Sequence, residues 1–226
     1  MDRDDIAGRL AVVRERIGEA AGRAGRAPQE IRILAVTKAH GKDLVRAALE
    51  VGLTDLGENY VQEGIAKMGE TSPGVRWHFI GRVQSNKTRA VARYYDWVHT
   101  LTRERIALRL NAQRPAESPP LNVCIQVRMQ EADTRPALPS KEVPGLAALI
   151  SEQPRLRLRG LMGIPLPDAP REAYSNLRSL YHRLNASGLN LDTLSMGMTA
   201  DLETAVECGA TLVRVGTALF GPRPQG

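Results

Sequence analysis

Lys38 ends the apolar run Ile33-Leu34-Ala35-Val36-Thr37, and two loops near the end of the chain carry residue types that suit a phosphate. They are Ser195-Met196-Gly197-Met198-Thr199 and Leu212-Val213-Arg214-Val215-Gly216-Thr217. Each reads as a short strand that runs into small residues and then a polar or helical turn. Glycine lets the backbone approach a ligand, and the open N–H groups of a helix start attract a phosphate. A lysine emerging from a buried strand is partly desolvated, which favours the neutral, nucleophilic amine a Schiff base needs. Amine and phosphate site together point to pyridoxal 5′-phosphate. Its aldehyde is expected on Lys38 and its phosphate on the amides of Gly197–Thr199 and Gly216–Thr217. Arg214 lies in an apolar run and needs a partner. The ring nitrogen, the phosphate or an acid on a neighbouring strand would each supply one.

The elements that must position these residues alternate along the chain. Short apolar runs at 31–37, 54–57, 76–80, 96–100, 121–127, 158–162, 193–196 and 211–215 read as strands. Helical spacing fills 43–51, 60–69, 85–93, 103–113, 141–152, 171–187 and 200–208. Ile6, Leu10, Val13 and Ile17 mark an additional amphipathic helix over 4–22. Eight strands with intervening helices predict an α/β fold, a single (β/α)8 barrel over residues 1–226. Its functional residues then gather where the strands end, with a phosphate site after the last two. A doubly wound open sheet is the rival, but it has fewer strands and no GxGxxG opens this chain. Thr199 is expected to cap the helix that follows it, and Gly209 to end that helix.

Composition narrows the class. No run of about eighteen apolar residues is present, so no membrane span is expected. The charged start lacks the apolar core of a secretory signal, and the location expected is cytoplasmic. Cys124 and Cys208 have no metal-ligand spacing and read as buried free thiols. The net charge of +6 comes mainly from arginine, since there are only five lysines. The arginines are spread out and interleaved with acids, with few aromatics for base stacking, so a solvated surface is expected rather than a nucleic-acid face.

The chain resembles the YggS/PROSC family of pyridoxal phosphate homeostasis proteins. The residues that carry the resemblance are Leu34–Lys38, Gly57–Glu63, Trp77–Gly81 with Gln84–Lys87, Leu158–Met162 with Ile164-Pro165, Ser195–Met198, and Val213–Thr217 with Phe220-Gly221. They run through nearly the whole chain in family order. The resemblance implies the fold-type III barrel of the alanine racemase N-terminal domain, with Lys38 as the covalent cofactor residue. It implies phosphate-binding positions at Ser195, Gly216 and Thr217, and pocket positions at Asn59, Met162 and Arg214. Four places depart from the family pattern: Ala39-His40-Gly41 after the lysine, Arg82 where proline is usual, Asp133-Thr134-Arg135-Pro136 after strand five, and Ala200 in place of aspartate.

The resemblance implies a monomeric carrier or buffer of the cofactor, delivering it to apo-enzymes, with no established turnover. Similar racemases add a second domain and a partner tyrosine as an opposite-face acid/base. No such domain is expected here, and the five tyrosines fall on predicted helices. An arginine at the ring nitrogen also weakens the ring as an electron sink. Two alternatives stay open: a slow racemase or lyase using Lys38, and a phosphosugar enzyme with Lys38 as an aldolase-type amine and no cofactor.

Overall fold

The computed structural model describes residues 3–69, 74–167 and 170–222. The first helix, α1 (Arg3–Arg23), buries Ile6, Leu10, Val13, Ile17, Ala20 and Ala21 along one face. Asp4 and Asp5 lie in its first turn and Arg23 in its last, as the helix dipole favours. Four strand–helix units follow, β1 (Arg32–Val36) and α2 (Lys42–Glu50), β2 (Asp55–Glu58) and α3 (Val61–Met68), β3 (Arg76–Phe79) and α4 (Thr88–Tyr94), β4 (Trp97–Leu101) and α5 (Glu104–Gln113), and then β5 (Leu121–Arg128). A two-residue strand, β6 (Leu138–Pro139), pairs with the end of β5 before α6 (Val143–Ser151). The rest is β7 (Leu156–Met162), α7 (Pro170–Ala186), β8 (Thr193–Ser195), α8 (Leu202–Glu207), β9 (Leu212–Val215) and the short α9 (Thr217–Phe220).

Every pairing is parallel, and the order β4-β3-β2-β1-β9-β8-β7-β5 closes through β4–β5 into an eight-strand barrel. All eight expected strands are present, with ends displaced by no more than two residues. β2, β4, β8 and β9 are buried at every position, as expected for parallel strands covered by helices. Trp97, Cys124 and Met162 form a small apolar cluster of their own. The guanidinium groups of Arg32 and Arg159 lie over the Trp97 ring, 5.1 Å and 4.7 Å from its centroid. Both thiols are free and buried, and burial pushes that of Cys124 up to about 12. Among the described residues, no helix is long and apolar enough to cross a membrane.

The leading helix braces the loops that follow β8. Arg16 pairs with Glu203 at 2.6 Å and also donates to the carbonyl of Thr199 at 2.9 Å. Arg23 pairs with Glu207 of α8 at 2.8 Å. Gly209 ends α8 with φ +102°, as expected. Thr199 does not cap that helix. The capping position is Asp201, and α8 begins at Leu202. Asp201 accepts the amide N–H of Met198 and the hydroxyl of Tyr174, both at 2.7 Å. A carboxylate is the stronger acceptor for those donors, and the Thr199 hydroxyl instead accepts the N–H of Ala218 at 3.3 Å.

Candidate functional site

Lys38 occupies a tight turn at the C-terminal end of β1, and its side chain is half-buried. The turn is closed by the His40 N–H on the Thr37 carbonyl at 3.2 Å. Ala39 has φ +63°, a left-handed conformation that costs a non-glycine residue about 1 kcal/mol or more. Its N–H donates to Glu63 at 2.6 Å, which holds it there. Beneath the turn lies a buried ionic cluster. The Lys67 ammonium donates to the Thr37 carbonyl at 2.8 Å, to Glu58 at 2.7 Å and to Glu63 at 2.8 Å. The Thr37 hydroxyl also donates to Glu58, at 2.6 Å. Burial pushes the Glu58 carboxyl up despite Lys67 and Thr37, and its second oxygen has no hydrogen-bond partner. Sequence reading missed Lys67. The signal was there in Glu63 and Lys67 at i,i+4, but that spacing usually marks a solvated helix face.

Arg214, on β9, is 5 % exposed. No ion pair among the described residues engages it, so the expected alternative of a salt bridge to a neighbouring acid is not realised. It donates instead to the Ser195 carbonyl at 2.7 Å, the Ser195 hydroxyl at 3.0 Å and the Gly163 carbonyl at 3.1 Å. Burial disfavours its charge, yet a guanidinium stays protonated. Three bonds leave two of its five donors for a ligand.

Ser195 belongs to a buried chain through the barrel interior. Its hydroxyl lies 2.8 Å from His99 Nδ1; His99 Nε2 lies 2.9 Å from His78 Nδ1; and His78 Nε2 lies 2.8 Å from Asp55. Arg76 also binds Asp55 with two hydrogen bonds, at 2.7 Å and 2.6 Å. Burial alone would raise the Asp55 carboxyl, but Arg76 and His78 outweigh it and hold it well below the usual carboxylate range. Burial pushes both imidazoles down, His99 the further.

The signs give a pH dependence. Unfolded histidines take up a proton below about pH 6.5, whereas these two stay neutral in the folded protein until lower pH. Their contribution to stability is therefore present above about pH 6.5 and is lost as the pH falls toward their folded values. The slope is up to about 1.4 kcal/mol per pH unit for each. Urea midpoints at pH 7.5 and 5.5, compared in a Glu58→Gln background so that the raised Glu58 carboxyl adds no opposing change, should show this loss. Equal midpoints would contradict it.

The remaining expected residues lie at the strand ends. Asn59 follows β2 and is half-buried. Its carbonyl packs against Gly81, where an added Cβ would come within 2.0 Å of the Asn59 oxygen. Met162 is buried at the end of β7 against Trp97 and Cys124. The phosphate loops differ from expectation in one respect. The Gly197 N–H donates to the Tyr174 hydroxyl at 3.1 Å, and that of Met198 to Asp201, so these two amides are already occupied. The amides of Gly216 and Thr217 carry no hydrogen bond among the described residues, and both residues reach the surface. Thr199, half-buried, accepts a bond but keeps its hydroxyl proton to donate. The Ser195 hydroxyl points into the barrel toward His99 and Arg214, which gives it a supporting place behind the arginine. A half-buried amine, two open amides, the Thr199 hydroxyl and a buried cation with spare donors fit pyridoxal 5′-phosphate.

The model of the alanine racemase N-terminal domain family matches residues 9–224. The pyridoxal phosphate homeostasis protein of Pseudomonas aeruginosa is 49% identical over 226 residues, covering 98% of this chain and 97% of its own. Its counterpart in Escherichia coli K12 is 46% identical over 230 residues, covering 97% of each chain. PipY of Synechococcus elongatus, solved with PLP bound, superposes with a TM-score of 0.83 at 32% identity, over 96% of this chain and all of PipY. Alanine racemase of Corynebacterium glutamicum shares the fold, with a TM-score of 0.76 at 15% identity, over 99% of this chain and 62% of the racemase. The chain therefore belongs to the pyridoxal phosphate homeostasis proteins, which are built on the alanine racemase N-terminal barrel.

Proposed function

We propose that the chain binds pyridoxal 5′-phosphate at the C-terminal mouth of its barrel and serves as an intracellular reserve of the cofactor for apo-enzymes. When bound, the cofactor supplies an aldehyde that an amine can capture and a ring that can withdraw electrons. Lys38 is the residue that captures it. Gly216 and Thr217 hold the phosphate through their open amides, helped by the hydroxyls of Thr199 and Thr217, and Met198 and Asn59 flank the pocket. Arg214, with its spare donors, would be the residue to meet the ring nitrogen, and Met162 would contribute apolar lining. The observation that carries this reading is the placement of Lys38 and the open Gly216 and Thr217 amides at one end of the barrel. We read the protein as a cytoplasmic monomer. Borohydride reduction of the PLP-loaded protein should leave the pyridoxyl mass on Lys38. Labelling mainly at Lys42, Lys67, Lys87 or Lys141 would sink the assignment.

The barrel shared with alanine racemases keeps a second reading in view, a slow racemase or lyase. The side chains support holding over turnover. The hydroxyls of Tyr95, Tyr174 and Tyr181 donate to the Val61 carbonyl, Asp201 and the Leu191 carbonyl. Burial raises all three, which makes them poor bases. His78 and His99 are enclosed in their own chain. A guanidinium at the ring cannot take the ring proton, so carbanion formation gains little help. L-Alanine and L-serine in deuterated water should exchange their α-hydrogen far more slowly than about once per second, the ordinary enzyme range. Faster exchange that Lys38→Ala abolishes would establish the racemase reading.

A further inference from the structure

The chain Arg214–Ser195–His99–His78–Asp55 has ends of opposite kind. An arginine only donates hydrogen bonds and an ionised carboxylate only accepts them. The ends therefore set the direction of every bond between. Arg214 Nη1 donates to the Ser195 oxygen at 3.0 Å. The Ser195 proton must then go to His99 Nδ1, the His99 proton sits on Nε2 and goes to His78 Nδ1, and the His78 proton sits on Nε2 and goes to Asp55. With the other tautomers, the His78 lone pair would face an ionised Asp55. An additional proton on the pair would reverse the two upper bonds and leave the buried Ser195 hydroxyl facing two donors. The charged groups around the pair are Asp55 on one side and Arg32, Arg76 and Arg214 on the others. Asp55 and Arg76 also line a cleft of about 430 Å³ at the N-terminal end of the barrel, so the chain spans the interior from that cleft to the mouth.

We infer that His78 and His99 are positioning residues for Arg214: neutral and protonated on Nε2, they fix the direction of the Ser195 hydroxyl and so hold the guanidinium beneath the mouth. Neither imidazole touches a ligand. The direction of the chain stands on the protein alone, and its consequence for the cofactor rests on the PLP reading above.

The test has two arms. In the first, the protein is labelled with ¹⁵N-histidine and long-range proton–nitrogen spectra are recorded from pH 8 to 5.5. Only four histidines contribute, and single His→Asn variants assign them. His78 and His99 should each show a neutral ring with hydrogen on Nε2 at pH 7. Ser195→Ala should shift His99 Nδ1, which loses its donor. A charged ring at pH 7, or hydrogen on Nδ1 of either residue, would overturn the inference. In the second arm, His99→Leu and His99→Asn are loaded with PLP after circular dichroism confirms their fold. Asparagine offers a carbonyl near the place of Nδ1 to accept the Ser195 proton; leucine offers none. PLP loss should be about tenfold faster in His99→Leu, the order of a charge-assisted hydrogen bond, with a displaced visible band, and His99→Asn should recover most of it. Equal behaviour of the two variants would overturn the positioning role. Failure of the wild-type protein to take up PLP would overturn the cofactor reading and leave the first arm standing.

Discussion

Lys67→Met should lower stability by about 3–5 kcal/mol, the usual cost of removing one partner from a buried ion pair. Lys67 is 4 % exposed and Glu58 is fully buried, so water cannot replace the lost ammonium. Glu58 already lacks a partner for one oxygen, and without Lys67 its only described side-chain bond is the one from Thr37. Its carboxyl is already pushed up by burial and should rise further. A folded carboxyl raised above its unfolded value contributes stability at low pH and loses it as the pH rises through the folded value. The deficit of Lys67→Met relative to wild type should therefore shrink from pH 8 to pH 5, and Glu58→Gln with Lys67→Met should recover part of it at pH 8. Urea unfolding of the three proteins at both pH values measures this. A pH-independent deficit would show that the loss is one of packing only. Lys67 also holds the Thr37 carbonyl, one residue before Lys38, so this variant should lose PLP more readily.

The frame of this site was legible because strands and helices announce themselves in different periods. Eight buried runs between helical stretches fixed the barrel count, and a lysine at the end of the first run fell at the mouth by that count alone. The details that failed were hydrogen-bond choices between residues far apart in the chain. Thr199 and Asp201 are both capping residue types; α8 starts after Asp201, whose carboxylate is taken up by Met198 and by the distant Tyr174 rather than by an amide of the helix. The Gly197 amide was expected to be open, and Tyr174, from a helix 23 residues earlier, fills it. His78 and His99 could be placed on adjacent strands. That they join Ser195 and Arg214 across the barrel depends on register, which sets His78 beside Gly57 and Trp97 and breaks step between Val98 and Leu101. The buried Lys67 was hidden for a related reason. A lysine on a short helix is ordinarily solvated, and only the turn of β1 above it takes it out of water.

Lys38→Ala should abolish covalent attachment of PLP while leaving the fold in place. The side chain is half-buried at the end of a strand, whereas the turn around it is held by other groups: Glu63 on the Ala39 amide and Lys67 on the Thr37 carbonyl. Truncation there removes little core packing, so the urea midpoint should change by no more than about 0.5–1 kcal/mol equivalent. The Gly216 and Thr217 amides remain open to an anion. Three readouts thus separate. Pyridoxyl incorporation on borohydride treatment should fall to background. Reversible uptake of the cofactor should persist but weaken, because the phosphate contacts survive without the covalent link. Thr217→Ala with Thr199→Ala should behave in the opposite way, still trapping PLP on Lys38 but losing it faster, since hydrogen bonds to a charged phosphate contribute about 1.5–3 kcal/mol each. If Lys38→Ala still incorporates the pyridoxyl group, another lysine does the chemistry. If it loses all affinity while the threonine pair loses none, the phosphate is held elsewhere and the covalent bond alone retains the cofactor. Only the expected pattern assigns capture to the end of the first strand and retention to the turns after the last two.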